Sequence, residues 1–246
     1  MKQLFLLFAV LLMVCSCSDE ILNEDNHQAV LGTSNVTFSF DSITEPSNWR
    51  KYQSLEEMLA ACQIPEDKLK SMSTDELIEV CMSHPLHAIY IAYENELEGA
   101  KVVFNNFNGF SELRNRKDAP QKILEFYYDI NFNHKTKKER RKDFSIITYM
   151  GFIELYLASK ELPELYKGDN LVNLKKISDD VLDMKLGQTE KKIYTISRSL
   201  LINAQIKLQE ASLSKEEANV LESFVIKGGG VDKPQDYSII SAILNK

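Results

Sequence analysis

Phe144-Ser145-Ile146-Ile147-Thr148-Tyr149-Met150-Gly151-Phe152-Ile153-Glu154-Leu155-Tyr156-Leu157-Ala158 decides the fold of this chain. Its apolar side chains surround a helical axis on every side, so the spacing predicts a central buried helix. At 1.5 Å per residue it spans only about 22 Å, short of the roughly 30 Å of a bilayer's hydrocarbon core. The same arithmetic excludes a membrane-crossing role for it.

Outward from that helix the pattern stays helical. Leu171, Leu174, Ile177, Val181 and Leu182 share one face of 170–186, and Ile193, Ile196, Leu200, Leu201, Ala204 and Leu208 share one face of 190–210. Both are expected to pack on one side only. Ser54 with Glu57, Ser73 with Glu76, and Ser214 with Glu217 have the spacing of capping boxes and mark three helix starts. Pro65, Pro85, Pro120 and Pro163 stand where helices begin or have just ended. Gly109, Gly187 and Gly228-Gly229-Gly230 stand where left-handed C-terminal caps belong. The predicted helices are 54–62, 65–71, 74–83, 86–93, 96–107, 110–116, 120–131, 143–159, 170–186, 190–210, 214–227 and 236–244.

Composition agrees. The 246 residues hold 9 glycines and 6 prolines, where average usage would give roughly 17 and 12, and many-turned β folds need those residues. The fold expected is all-α, an irregular multi-helix bundle or α-α superhelix, with a short extended N-terminal arm. That arm is suggested by Val36, Phe38 and Phe40 alternating with Thr37 and Ser39; a sticky piece of linker is the other reading. No repeat of fixed period is visible.

The N-terminus carries an address. Lys2 precedes the apolar run 4–14, which is followed by Cys15, Ser16, Cys17, Ser18, Asp19 and Glu20. This is the pattern of a secretory signal, too short to span a membrane. Its end resembles a bacterial lipoprotein signal, in which small or aliphatic residues lead into a cysteine that is diacylated and becomes the mature N-terminus. Cys17 fits best, with Val14 and Ser16 in the third and first positions before it, whereas Cys15 would put bulky Val14 directly before the cleaved bond. Ser18-Asp19-Glu20 resembles the tag by which Bacteroidetes lipoproteins reach the outside of the outer membrane. An ordinary signal peptide cut near Ser16 or Ser18 is the alternative.

The resemblance divides the chain into a signal peptide at 1–16, an acylated cysteine and polar tether at 17–47, and a helical globular domain at 48–246. It implies an outer-membrane protein held by lipid and facing the cell exterior; several buried acyl chains, at about 0.8 kcal/mol per methylene, make such anchorage stable. Residues 71–129, with Met72-Ser73-Thr74-Asp75-Glu76-Leu77, Cys81-Met82-Ser83-His84-Pro85-Leu86 and Phe107-Asn108-Gly109-Phe110-Ser111-Glu112-Leu113, are similar to a block of secreted Bacteroidetes proteins. That similarity implies no activity.

The formal charge is 29 minus 36, or −7, which opposes nucleic-acid binding. A local exception is Lys135, Lys137, Lys138, Arg140, Arg141 and Lys142, a run that could meet a polyanion such as lipopolysaccharide or an acidic glycan, or be a solvated loop. Cys81, His84 and His87 have ligand-like spacing, but Pro85 interrupts the helix that would align them and no fourth ligand is evident, so structural roles, and no metal, are expected. Glu94, Glu96 and Glu98 read as a solvated face. Glu154 is the acid inside the apolar helix: burial would raise its pKa and suit a general acid, whereas a place at the helix edge or a lysine or arginine partner would make it structural. Exposed aromatics could stack on sugar rings, with Trp49 and Tyr52, Tyr90 and Tyr93, and Tyr127 and Tyr128 as the pairs to inspect. Cys62 and Cys81 are expected to be free, buried thiols.

No hydrolase or nucleotide signature is present. The reading favoured is a non-catalytic, lipid-anchored surface protein whose helical domain binds a protein, peptide or glycan, with no cofactor. A surface hydrolase with a site assembled from distant residues, and an accessory lipoprotein of an outer-membrane nutrient-uptake system, are the alternatives.

Overall fold

The computed structural model describes residues 38–132, 144–187 and 193–246. Among them helices follow one another with no strand or sheet, and the fold is all-α. The first two are single turns, α1 (Asp41–Thr44) and α2 (Pro46–Trp49). They are followed by α3 (Leu55–Ala61), α4 (Glu66–Ser71), α5 (Thr74–Met82), a 3₁₀ turn (His87–Ala92), α6 (Glu96–Asn106), α7 (Asn108–Asn115) and α8 (Ala119–Phe132). The second half holds α9 (Phe144–Ala158), a 3₁₀ turn (Pro163–Tyr166), α10 (Gly168–Leu186), α11 (Ile193–Lys207), α12 (Lys215–Ile226) and α13 (Asp236–Leu244).

The helix starts follow the sequence. Ser73 and Ser214 form complete capping boxes with Glu76 and Glu217, each satisfying two otherwise orphaned amides. At Ser54 the hydroxyl accepts from the Glu57 amide, but the Glu57 carboxylate accepts from the Gln53 amide at 2.6 Å instead of closing the box on Ser54. Ser54 is therefore a cap and not a full box.

From Thr148 onward the α9 helix is buried as expected, with Met150 half-buried. Tyr149 and 152–158 lie in the core, and Phe152 and Tyr156 stack with Phe104 of α6 and Phe110 of α7 at 4.8–5.9 Å between ring centres. It packs on α6, on α11 and on the first 3₁₀ turn. The second central helix is α11, which also touches α10, α12 and α13. Here the one-sided packing expected for 190–210 fails, because every residue from Ser197 to Lys207 is buried. Ser197, Arg198, Ser199, Asn203, Gln205 and Lys207 made it read as amphipathic, yet they are covered by four neighbouring helices. In α10 the one-sided reading holds, with Leu174 and Val181 buried and Val172 exposed.

Other differences are local. Residues 38–47, assigned to the tether, are folded: Phe40 is buried, edge-on to Phe38 at 5.1 Å, and leads into α1 and α2. The two aromatic positions do lie on the domain, but as the entry to a helical turn and not as a strand. Gly109 is no cap; it lies inside α7 against Phe107 and the Cys81 thiol. Gly187 ends α10 with a right-handed φ of −65°. Of the glycines expected as caps, Gly228 and Gly229 are left-handed, at φ of 63° and 86°, and a Cβ at Gly228 would also overlap the Asn95 side chain. Residues 87–92 form a 3₁₀ turn in place of the expected α-helix, since the nine residues between Pro85 and the Asn95 cap include β-branched Ile89 and Ile91 and offer little length to propagate.

Candidate functional site

Two polar features stand out: one sealed inside the bundle, the other open on its surface. The sealed one is centred on Glu154. Its Oε1 accepts from the Tyr127 hydroxyl at 2.9 Å, from the Lys185 ammonium at 2.6 Å and from the Ser199 hydroxyl at 2.7 Å, and Lys185 also donates to Ser199 at 2.9 Å. One residue each from α8, α9, α10 and α11 thus meets at a single oxygen. Burial pushes the Lys185 ammonium down from its usual range, against the pull of Glu154. With Glu154 1% exposed and Ser199 fully covered, no substrate reaches this cluster, and the carboxylate has the basic partner that makes it structural.

A second clamp lies beside it. Glu96 binds Arg198 through two parallel bonds of 2.8 and 2.9 Å, and the guanidinium lies 4.9 Å from the centre of the Tyr90 ring. Tyr90 in turn donates to the Thr148 carbonyl at 3.1 Å. Glu96 is therefore not part of a solvated face, although Glu98 is exposed and pairs with Lys101.

The open feature is a cleft of about 640 Å³ between α8 and α10. Positions 121, 125, 128 and 129 recur at helical spacing and turn Gln121, Glu125, Tyr128 and Asp129 toward it. Asp169, Asn170 and Asn173 line the opposite wall, over a floor of Leu124 and Ile177. Tyr128 is 42% exposed and is braced by Phe132 at 4.9 Å. Among the described residues no lysine or arginine lines the cleft. Carboxylates that accept, and amides that accept and donate, can hydrogen-bond hydroxyl groups, and the exposed aromatic ring beside them can stack on an apolar sugar face. A smaller hollow of about 40 Å³ between α10, α11 and the C-terminus contains Glu210 and the two lysines that pair with it, Lys175 and Lys207.

The other sequence candidates separate clearly. Tyr128 is the exposed member of its aromatic pair, Tyr127 being buried in the Glu154 cluster; Tyr90 is buried beside half-buried Tyr93, and Trp49 meets Tyr52 edge-on at 5.8 Å. Cys81 and His84 are fully buried, and His87 bonds the His84 carbonyl and the Thr148 hydroxyl. Among the described residues no three His, Cys, Asp or Glu side chains converge as metal ligands. Cys62 and Cys81 are free and buried. Cys17 and the basic residues Lys135, Lys137, Lys138, Arg140, Arg141 and Lys142 lie outside the described residues.

Sequence reasoning passed over Lys185 and Ser199. A signal for Lys185 was present, because 174, 178, 181 and 185 form one helical stripe and the other three are Leu, Ser and Val. A lysine on that stripe needs a buried acid. The chain matches no protein-family model, no curated protein and no solved structure.

Proposed function

We propose that this chain is a lipid-anchored cell-surface protein, acylated at Cys17, whose helical domain holds a glycan in the cleft between α8 and α10. The anchoring half of this reading rests on residues 1–20, whose apolar run and Ser16-Cys17-Ser18-Asp19-Glu20 junction resemble a lipoprotein signal and export tag. The binding half rests on one observation, the exposed Tyr128 ring set among the carboxylates and amides of the cleft. A glycan is favoured over a peptide because Tyr128 stands among Gln121, Glu125, Asp129, Asp169, Asn170 and Asn173, with only Leu124 and Ile177 as aliphatic lining. Binding is favoured over hydrolysis because Glu154, the acid best placed by sequence for general-acid work, is committed to Lys185, Tyr127 and Ser199.

The test joins the two halves in one protein. Metabolic lipid labelling is expected in the wild type and in Cys15→Ala but not in Cys17→Ala, and protease added to intact cells is expected to digest the domain. The purified acylated protein is then applied to immobilised neutral oligosaccharides. Retention that falls at least tenfold in Tyr128→Ala, with the helical circular dichroism unchanged, is the expected result. Retention indifferent to Tyr128→Ala would remove the cleft from the proposal.

A further inference from the structure

His84 is fully buried, and one of its ring nitrogens has no hydrogen-bond partner. The Leu86 amide donates to Nδ1 at 3.1 Å, so the ring proton sits on Nε2, and Nε2 has no hydrogen-bond partner. The ring meets Phe107, 4.7 Å away, and Phe40, 5.4 Å away, each edge-on, and those two rings also pack on each other at 6.0 Å. A proton arriving at Nδ1 would set one donor against another and leave a cation among aromatic edges. The closed site therefore refuses the proton, and the ring can take one only where a cover moves away.

The two covers differ in how firmly they are held. Phe107 joins α6 to α7, is buried to 1% exposure and packs on Phe110 as well. Phe40 belongs to the arm of residues 38–49, built of two four-residue helices that have no side-chain caps. Those helices are tied to each other by the Asn48 amide donating to the Ser42 carbonyl at 2.8 Å. Short uncapped turns are the low-stability end of a fold and open locally before the core does.

We propose that His84 is a proton-operated latch: the neutral ring holds the arm of residues 38–49 against the domain through Phe40, and the arm undocks when the ring is protonated.

The surrounding groups leave that ring in control. On α5 the Cys81 thiol is pushed up by burial and stays neutral, and Arg114 and Arg116 of the α7 region bear on Cys81 while pairing with Glu161 and Glu112. His87, the next ionisable group on the same turn, adds repulsion to any charge on His84, in the same direction as burial. On the arm, the Asp41 carboxylate accepts from the Ser39 hydroxyl at 2.7 Å. Burial holds the His84 imidazole down to about 3 in the docked form, whereas a freed ring titrates near 6.5. Between those limits each pH unit of acidification should shift the docking equilibrium tenfold toward the open arm, because only the open form binds the proton.

Trp49, the single tryptophan of the chain, reports on the arm. In the full chain, lowering the pH from 7 to 4 is expected to shift Trp49 emission to the red and to release amide-exchange protection in residues 40–50, while far-ultraviolet circular dichroism holds constant. His84→Asn keeps an acceptor for the Leu86 amide but cannot titrate, and should keep the arm docked throughout; His87→Gln should leave the transition in place. Phe40→Ala should undock the arm at pH 7 and let His84 titrate near 6.5 by NMR, which tests the latch even where His84→Asn fails to fold. An arm that stays protected to pH 4, that leaves with the same profile in His84→Asn, that leaves only together with the helical signal, or a His84 still resistant to protonation in Phe40→Ala would overturn the proposal.

Discussion

Lys185 of α10 and Glu154 of α9 are joined at 2.6 Å in the interior of the bundle, with Tyr127 and Ser199 completing the coordination of the same carboxylate oxygen. An apolar core would tolerate many relative rotations of four helices. A carboxylate that must meet an ammonium, a phenol and a hydroxyl together tolerates few. The cluster therefore fixes the register of α8, α9, α10 and α11, which is the structural use for which buried ion pairs are best suited.

Removing one partner leaves the other charge buried without that counter-charge. Glu154→Leu and Lys185→Met are each expected to lower the unfolding free energy by about 3–5 kcal/mol in urea titration. The double variant should lose much less than the sum, because no orphan charge remains. Simple additivity in that double-mutant cycle would show that the two groups are not coupled.

Gly151 faces a different constraint. A Cβ there would overlap the Tyr90 hydroxyl and lie 2.7 Å from an Arg198 guanidinium nitrogen, and Arg198 is fixed by Glu96 from the other side. Gly151→Ala should thus cost about 1–3 kcal/mol through overpacking. At Gly187 an added Cβ would come no closer than 3.4 Å and φ is −65°, so Gly187→Ala should be neutral or stabilising by about 0.4–1 kcal/mol. Melting temperatures of the two variants are expected to move in opposite directions or by clearly unequal amounts.

The contrast between these glycines also separates what the sequence could reveal from what it could not. Ser73, Ser214, Glu76 and Glu217 specify helix starts through bonds closed within four residues, so local pattern suffices. The all-round apolar run of α9 likewise needs only its own composition. Gly151 and Gly109 are small because of side chains distant in sequence or in the adjoining turn, and nothing at those positions distinguishes them from capping glycines. Glu154 was visible as a buried acid with a basic partner due, but the choice of Lys185 depends on how α9, α10 and α11 are placed in space. The cleft is harder still. Tyr128 reads like its neighbour Tyr127, and one residue of helical rotation, about 100°, sends one into the core and the other to the surface.

Acid should act on the C-terminal part through Glu217. Its carboxylate accepts from the Lys246 ammonium at 2.5 Å and from the Ser214 amide at 3.0 Å, and these bonds, Lys246 first, hold its pKa down to about 2 from an ordinary 4.5. The folded value lies below the unfolded one. The stabilising contribution is therefore complete above pH 4.5 and is lost as pH falls toward 2. In carboxyl-resolved NMR titration Lys246→Ala is expected to move the Glu217 midpoint upward, and an unchanged midpoint would assign the depression to the helix cap alone.

Cys62 and Cys81 should behave as buried hydrophobes with inert sulfur. Both are fully covered and unbridged, and burial pushes the Cys62 thiol up to about 12 and Cys81 well above its ordinary range. A thiolate is the reactive species, and at neutral pH neither site supplies one in measurable amount. Neither thiol should react with a water-soluble disulfide reagent until the domain is unfolded in denaturant, when both should react at once. Intact mass should not change on reduction, whereas a gain of two hydrogens would reveal a bridge. Cys81→Ala would leave a hole beside Gly109, and filling that space with Cys81→Val should be tolerated better than emptying it, since the site selects for a compact apolar group and not for sulfur chemistry.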